Sequence, residues 1–325
     1  MRWGRRSGTR TKPTRFIFAT DIHGSEDCFR KWVNAARILE ADCLLLGGDI
    51  TGKSVVPLVE RPEGVEARLG DSTVLARDDK ELIALRRRIR AGGRYVATVT
   101  PEEHERVDSD PAFREELFQR GLRECLRGWV AVAEERLPAT GTPAFFMLGN
   151  DDEETVLDDL ASDSLRYAEH RVCELPGGYE MISFGYSTPT PWHTPRELAE
   201  ETMAERIEAL AGQVADPGRA IFNLHCPPRD THLDQAPVLD EDLRPRLGAA
   251  GTVTGSVGST AVRGAIERHQ PLLGLHGHVH ECPAVESLGS TFCVNAGSEY
   301  QDGVLRAAVI ELADGEVSSW QLINS

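Results

Sequence analysis

Nowhere does this sequence approach the roughly 18–20 uninterrupted apolar residues that a membrane-spanning helix needs, so no transmembrane segment is expected. The first fifteen residues, MRWGRRSGTRTKPTR, carry six basic side chains and no acid. They lack the following apolar segment of roughly 7–15 residues that marks a secretory signal, and residues 1–15 read as a disordered basic arm. Paired-cysteine spacing is missing as well. The seven Cys at 28, 43, 125, 173, 226, 282 and 293 are odd in number, scattered and without a C-x-x-C. That fits reduced cytoplasmic thiols in or near the core, not a disulfide framework or a zinc knuckle. Positive charge is short: 36 Lys and Arg face 52 Asp and Glu, a net charge of −16. Such a surface disfavours non-specific binding to nucleic acid. It leaves room for a phosphate ligand if bound cations dominate the local field.

What the chain does have is a core and five polar clusters. With 40% hydrophobic residues over 325 positions it is a globular α/β chain, read as one domain over 16–325. Apolar runs at 16–20 (FIFAT), 43–46 (CLLL), 144–148 (AFFML), 220–223 (AIFN) and 271–275 (PLLGL) read as buried strands. Each ends in a cluster: DIHG at 21–24, GGD at 47–49, GND at 149–151, LHCPP at 224–228 and GHVHE at 277–281. Ligands at strand ends converge on the crevice where open α/β sheets bind. Asp21, His23, Asp49, Asn150, His225, His278 and His280 offer enough carboxylate, amide and imidazole for two divalent ions, a set suited to Mn, Fe or Zn and less to Mg. Cys226 and Cys282 lie beside them and read as packing residues, because neighbours along a strand point to opposite faces. The expectation is a binuclear metal hydrolase. Two ions about 3.5–4 Å apart need a bridging anion, and Asp49 at a strand end suits that role.

Between Asp49 and Asn150 lie 100 residues, far more than the roughly 30 of one βαβ unit. Residues 51–107 read as an insertion or cap near the site, with a charged helical piece at 78–93. A long helix over about 111–137 follows, with Asp110 as N-cap and Pro111 at the first helical position. Thr194, Pro195 and Glu197 predict a capping box and a helix over 195–211, just after a Pro-rich loop that carries Trp192 and His193. The Gly/Ser turn before 260–269 offers a helix N-terminus able to hold an anion. The final stretch alternates apolar and polar residues and predicts antiparallel strands.

D-x-H, G-D, G-N, an isolated His and G-H-x-H, in this order and each after an apolar run, resemble the calcineurin-like metallophosphoesterase superfamily. The resemblance covers roughly 16–312, and the finer pattern (GDITGK, GNDD, TPWHTPRE, HCPPRDTHLD, GHVHE, NAGSEY) looks like a prokaryotic branch of predicted phosphoesterases. It implies an α/β sandwich of two mixed β-sheets flanked by helices. It implies one ion on Asp21, His23, Asp49 and His280 and a second on Asp49, Asn150, His225 and His278, with Mn or Fe most often found. A metal-bridging hydroxide would then attack a phosphomonoester or phosphodiester, with Asn150 and His225 helping to place the phosphoryl oxygen. Trp192, His193, Arg229 and Arg263 are candidate substrate contacts. The expected partner is a small phosphoester, a nucleotide included, with no membrane and no nucleic acid.

One departure is chemical. Members of the superfamily commonly have G-N-H, and that His is thought to protonate the leaving group. Here Asp151 stands in its place. An imidazole titrates near 6.5 and a carboxyl near 3.9, and nearby cations push a carboxyl lower still. Asp151 is therefore expected to be ionised and a poor general acid, and His193 and His232 are alternative donors. The rival readings are a scaffold that keeps the fold and metal with little turnover, and a mononuclear hydrolase acting on amides.

Overall fold

The computed structural model describes residues 12–248 and 251–325; positions 1–11 of the basic arm lie outside the described residues. The chain begins with β1 (Thr14–Ala19), α1 (Glu26–Ile38) and β2 (Cys43–Gly47). It then leaves for a four-stranded excursion, β3 (Val55–Arg61), β4 (Gly64–Leu69), β5 (Ser72–Ala76) and β6 (Tyr95–Val99), with α2 (Asp79–Ala91) before β6 and α3 (Pro101–Ser109) after it. The long α4 (Pro111–Arg136) leads back to β7 (Ala144–Met147), α5 (Leu157–Leu160) and β8 (Arg166–Tyr167). The second half runs β9 (Val172–Leu175), β10 (Tyr179–Phe184), α6 (Glu200–Ala211) and β11 (Ala220–Leu224). Short ribbons β12 (Gln235–Pro237), β13 (Leu247–Gly248), β14 (Gly251–Thr252) and β15 (Thr254–Ser256) precede α7 (Thr260–His269) and β16 (Leu273–His276). The chain closes with β17 (Ala284–Leu288), β18 (Thr291–Asn295), β19 (Arg306–Ala313) and β20 (Glu316–Asn324).

Two six-stranded mixed sheets result, ordered β20-β19-β1-β2-β7-β8 and β17-β18-β16-β11-β10-β9. Side-chain alternation along each strand explains how they stack. Phe16, Phe18 and Leu45 of the first sheet meet Met181, Ile221, Leu273 and Val294 of the second, filling the space between the sheets. The intervening residues Ile17, Ala19, Leu44 and Leu46 face outward onto Trp32 of α1 and Leu122 and Trp129 of α4. Ile182, Phe222 and Leu224 pack outward against Met203 and Ile207 of α6 and Val262 and Ile266 of α7. The order of layers is helix, sheet, sheet, helix. Central strands β1, β2 and β7 are parallel, as are β10, β11 and β16, and burial on both faces is why they read as unbroken apolar runs.

Several expectations need correction. Thr14 and Arg15 belong to β1, where Arg15 pairs with Glu311, so they are part of the sheet and not of the arm. Within the 51–107 segment, read as an insertion or cap, four strands form a sheet of their own, ordered β5-β4-β3-β6, beside α2 and α3. Its strands escaped notice because β4 and β5 are only partly buried and Pro57 interrupts the apolar pattern of β3. Proline is tolerated there because β4 pairs only with Val59–Arg61, leaving β3 an edge at Pro57. The helix expected from 195 begins at Glu200. Thr194 and Glu197 do bond each other, but Arg196 N donates to the Asn150 carbonyl and Leu198 N to the Ser187 carbonyl, holding this segment in a turn against the loops after β7 and β10. The N-terminus of α7 is already capped within the chain: the Glu200 carboxylate accepts from Thr260 N, Ala261 N and Ser259 Oγ.

Behind the strand ends one buried carboxylate ties the two sheets together. Glu169 accepts from Leu148 N after β7 and Gly185 N after β10, and forms a two-oxygen pair with Arg196 at 2.9 Å. Both side chains are almost fully buried. Removing one member of such a pair strands the other charge. Glu169→Ala should cost about 3–5 kcal/mol, read as a lower midpoint in urea unfolding; a loss below about 1 kcal/mol would mean that water replaces the pair.

Candidate metal centre

The five sequence clusters meet at one end of the sandwich. Loops after β1 and β2 zip together through Asp21 N to Gly48 O (2.9 Å), His23 N to Asp49 O (3.0 Å) and Gly24 N to Ile50 O (2.7 Å). The loop after β16 joins the end of β11 by Gly277 N to His225 O (2.9 Å) and the β1 loop by His278 N, which donates to both Asp21 oxygens at 3.1 Å. Asp21, His23, Asp49 and His278 all have positive φ, between +39° and +67°. Non-glycine residues rarely adopt this region, and such strain clusters where side chains are held for function. Glycine precedes three of the candidate positions, Asp49, Asn150 and His278, for a steric reason. A Cβ on Gly149 would lie 2.0 Å from Asp49 Oδ1, and one on Gly277 would lie 2.3 Å from Asp21 Oδ2.

Asp21, His23, Asp49 and His280 each offer a ligand atom within 4.8 Å of the others, a group able to hold a metal ion. His23 Nε2 and His280 Nε2 converge to 3.1 Å, with His280 Nε2 3.3 Å from Asp21 Oδ1. A second convergence lies on the other side of Asp49. Asn150 Oδ1 is 3.1 Å from His225 Nε2 and 2.7 Å from His278 Nδ1. Asp49 faces both: Oδ2 is 3.6 Å from His23 Nε2, and Oδ1 is 3.4 Å from His225 Nε2. The His225 ring is oriented from behind, because Nδ1 donates to the Gly47 carbonyl at 2.8 Å. That contact directs Nε2 inward, as backbone carbonyls do for metal-ligating imidazoles. All seven sequence candidates are therefore neighbours, and their donor set fits divalent cations.

The protein groups alone set up opposed charges. Burial would raise the carboxyl of Asp49, but His225 and His23 hold it well below the usual range. Asp21 is likewise lowered, burial being outweighed by His280 and His225. Burial presses His23 and His278 down to about 4, so both are neutral imidazoles. Burial acts the same way on His225, but Asp49, Asp21 and the Gly47 carbonyl outweigh it and raise its pKa to about 10.

Asp151 sits at the rim. Its amide donates to Asp49 Oδ1 at 3.0 Å, its carboxylate is 3.9 Å from His23 Nδ1, and Lys53 Nζ ion-pairs with the same carboxylate oxygen. Burial and then Asp49 raise its pKa to about 6, against the pull of Lys53; Asp152 contributes least. Asp152 is a framework residue: fully buried, it accepts from Ile50 N, Thr51 N, Thr51 Oγ1 and Gly149 N, binding the β2 loop to the β7 loop.

The outer candidates divide. Thr194 Oγ1 accepts from Asn150 Nδ2 at 3.0 Å, so the loop bearing Trp192 and His193 is seated on Asn150, with Trp192 64% exposed. Arg229 lies half-buried after the His225 loop. Arg263 is committed elsewhere, to the carbonyls of Arg229 and Asp230 and to Glu267, which removes it as a free phosphate contact. His232 is exposed and paired with Glu286, 3.2 Å away, which argues against it as a proton donor. Sequence reasoning passed over Lys53 and Tyr300, whose ring centroid lies 4.7 Å from that of His23. Their only signal was their place in GDITGK and NAGSEY. All seven cysteines are free thiols. Among the described residues no helix is long and apolar enough to cross a membrane.

No family model and no curated protein matches the sequence. Solved structures do share the fold. One crystal structure superposes with a TM-score of 0.57 at 16% identity, over 96% of this chain and 99% of its own. The protein TT1561 of Thermus thermophilus does so with a TM-score of 0.50 at 14% identity, over 96% and 99%. YfcE, a phosphoesterase from E. coli, matches at 12% identity over 95% and 98%, but its TM-score of 0.33 is too low to carry an argument.

A pH test follows from the His225 shift. Its pKa is raised above the unfolded value of about 6.5, so its pairing with the carboxylates stabilises fully below that value. The contribution is lost as pH rises through about 10. Chelator-treated protein should lose thermal stability between these limits. The stabilisation conferred by added Mn should grow over the same window, because the cation competes with that proton. Parallel melting curves with and without Mn would contradict this.

Proposed function

We propose, for a chain with the metallophosphoesterase-type fold and a four-residue group able to hold a metal ion, hydrolysis of phosphomonoesters or phosphodiesters. The observation that carries the proposal is the two-sided Asp49, with one oxygen toward His23 and the other toward His225. It supports two divalent ions, one on Asp21, His23, Asp49 and His280 and one on Asp49, Asn150, His225 and His278, with Mn or Fe as candidates. When bound, such ions supply an activated water and neutralise phosphoryl oxygens. The chain's own groups do the rest. The second Nδ2 hydrogen of Asn150, beside the one given to Thr194, positions the phosphoryl group, and the Gly47 carbonyl keeps His225 Nε2 aimed at the second ion. Trp192 and His193, seated on Asn150 through Thr194, shape the substrate side. Free thiols and the acidic composition fit a cytoplasmic setting and a small phosphoester partner.

Convergent buried ligands favour this reading over a scaffold, because strained backbone at Asp21, His23, Asp49 and His278 gives a pure scaffold nothing. The test is a chromogenic phosphodiester and a phosphomonoester offered to Mn-loaded protein. Turnover should fall at least about 100-fold in His225→Ala and vanish with chelator. Bound metal without turnover on either ester would favour the scaffold; one ion per chain and no inhibition by phosphate would favour the amide hydrolase.

A further inference from the structure

The loss of the histidine after Asn150 leaves open what meets the leaving oxygen. We infer that Lys53, held by Asp151, is a catalytic residue that donates a hydrogen bond to that oxygen. The inference rests on the phosphoesterase reading above.

Three observations carry it. Lys53 Nζ ion-pairs with Asp151 Oδ2, the carboxylate that stands where the superfamily's histidine is expected. Asp151 is itself tied to the centre, its amide on Asp49 Oδ1 and its carboxylate beside His23. The Lys53 side chain nevertheless keeps 58% of its surface exposed, so two of its three ammonium protons remain available to a ligand. A buried structural cation would have no such freedom. The Lys53 backbone is also anchored nearby, since Gly52 N donates to the Tyr95 hydroxyl at 2.7 Å.

The step balances without proton transfer from lysine. An oxygen–phosphorus bond forms to the attacking water-derived oxygen, and the bond to the leaving oxygen breaks with its electron pair. The ammonium stabilises that developing charge by hydrogen bonding, and solvent supplies the proton afterwards. Asp151 acts through Lys53 as a positioning residue.

The experiment compares Lys53→Met, Lys53→Arg and Asp151→Asn on phosphodiesters that differ only in leaving-group basicity. Lys53→Met should keep its metal content and melting temperature. It should lose about 10-fold with nitrophenoxide and about 100-fold or more with an alkoxide, so that the dependence on leaving group steepens. Lys53→Arg should restore most of that loss, and Asp151→Asn should show the same steepening to a smaller degree. An equal loss for all leaving groups, or loss of metal from Lys53→Met, would overturn the assignment. A binding measurement stands apart from turnover. Inorganic phosphate should bind Mn-loaded Lys53→Met about 10-fold more weakly than wild type, and unchanged affinity would overturn the role. Wild type that binds phosphate but hydrolyses no ester would count against the phosphoesterase reading, with the binding result still deciding for Lys53.

Discussion

Asp49 has one carboxylate oxygen directed toward His23 and the other toward His225, and the rest of the centre is arranged to keep it that way. Its φ is held positive, Gly149 leaves the 2.0 Å that a Cβ would take from its Oδ1, and the Asp151 amide fixes the same oxygen. The backbone before it is zipped to the β1 loop, and the backbone after it is gathered by Asp152. Two anions and several imidazoles in a buried space would repel or titrate one another in an apolar setting. The folded chain balances them with a proton on His225, and divalent cations would balance them better.

That demand explains the architecture around the site. Asp152 and Glu169 are buried carboxylates that bind no candidate ligand position directly. Each collects backbone amides from loops that would otherwise be free to move. Between them they join the ends of β2, β7 and β10, so rigidity at the centre comes from framework acids behind it. Arg196 completes the arrangement by donating to the Gly149 carbonyl while neutralising Glu169. At the rim the constraint relaxes, and Asp151, Lys53 and the Trp192 loop sit where solvent and a ligand can reach.

How much of this was legible in the sequence followed from burial. Strands covered on both faces leave unbroken apolar runs, and all five runs are strands with the polar clusters at their ends. The α4 start at Asp110 and Pro111 was legible because N-cap chemistry is local. The strands of the excursion were not, since the apolar pattern of Val55–Arg61 is interrupted by Pro57 and only Ala76 of Ser72–Ala76 is fully buried. The Thr194–Glu197 pair misled because the same side-chain contact that opens a helix here closes a loop against Asn150. Arg263 and the α7 N-terminus looked like anion contacts but are satisfied by groups distant in sequence, which no local pattern reveals. Lys53 escaped for the complementary reason: a lone lysine in a polar loop has no periodicity, and its meaning lies in the partner it meets 98 positions later.

The central claim is that Asp49 is shared by two cations, and electron paramagnetic resonance during Mn titration tests it most directly. Two equivalents should bind, with the six-line signal of isolated Mn collapsing through exchange coupling as the second ion enters. Binding of a single equivalent with an undiminished six-line spectrum would contradict the account.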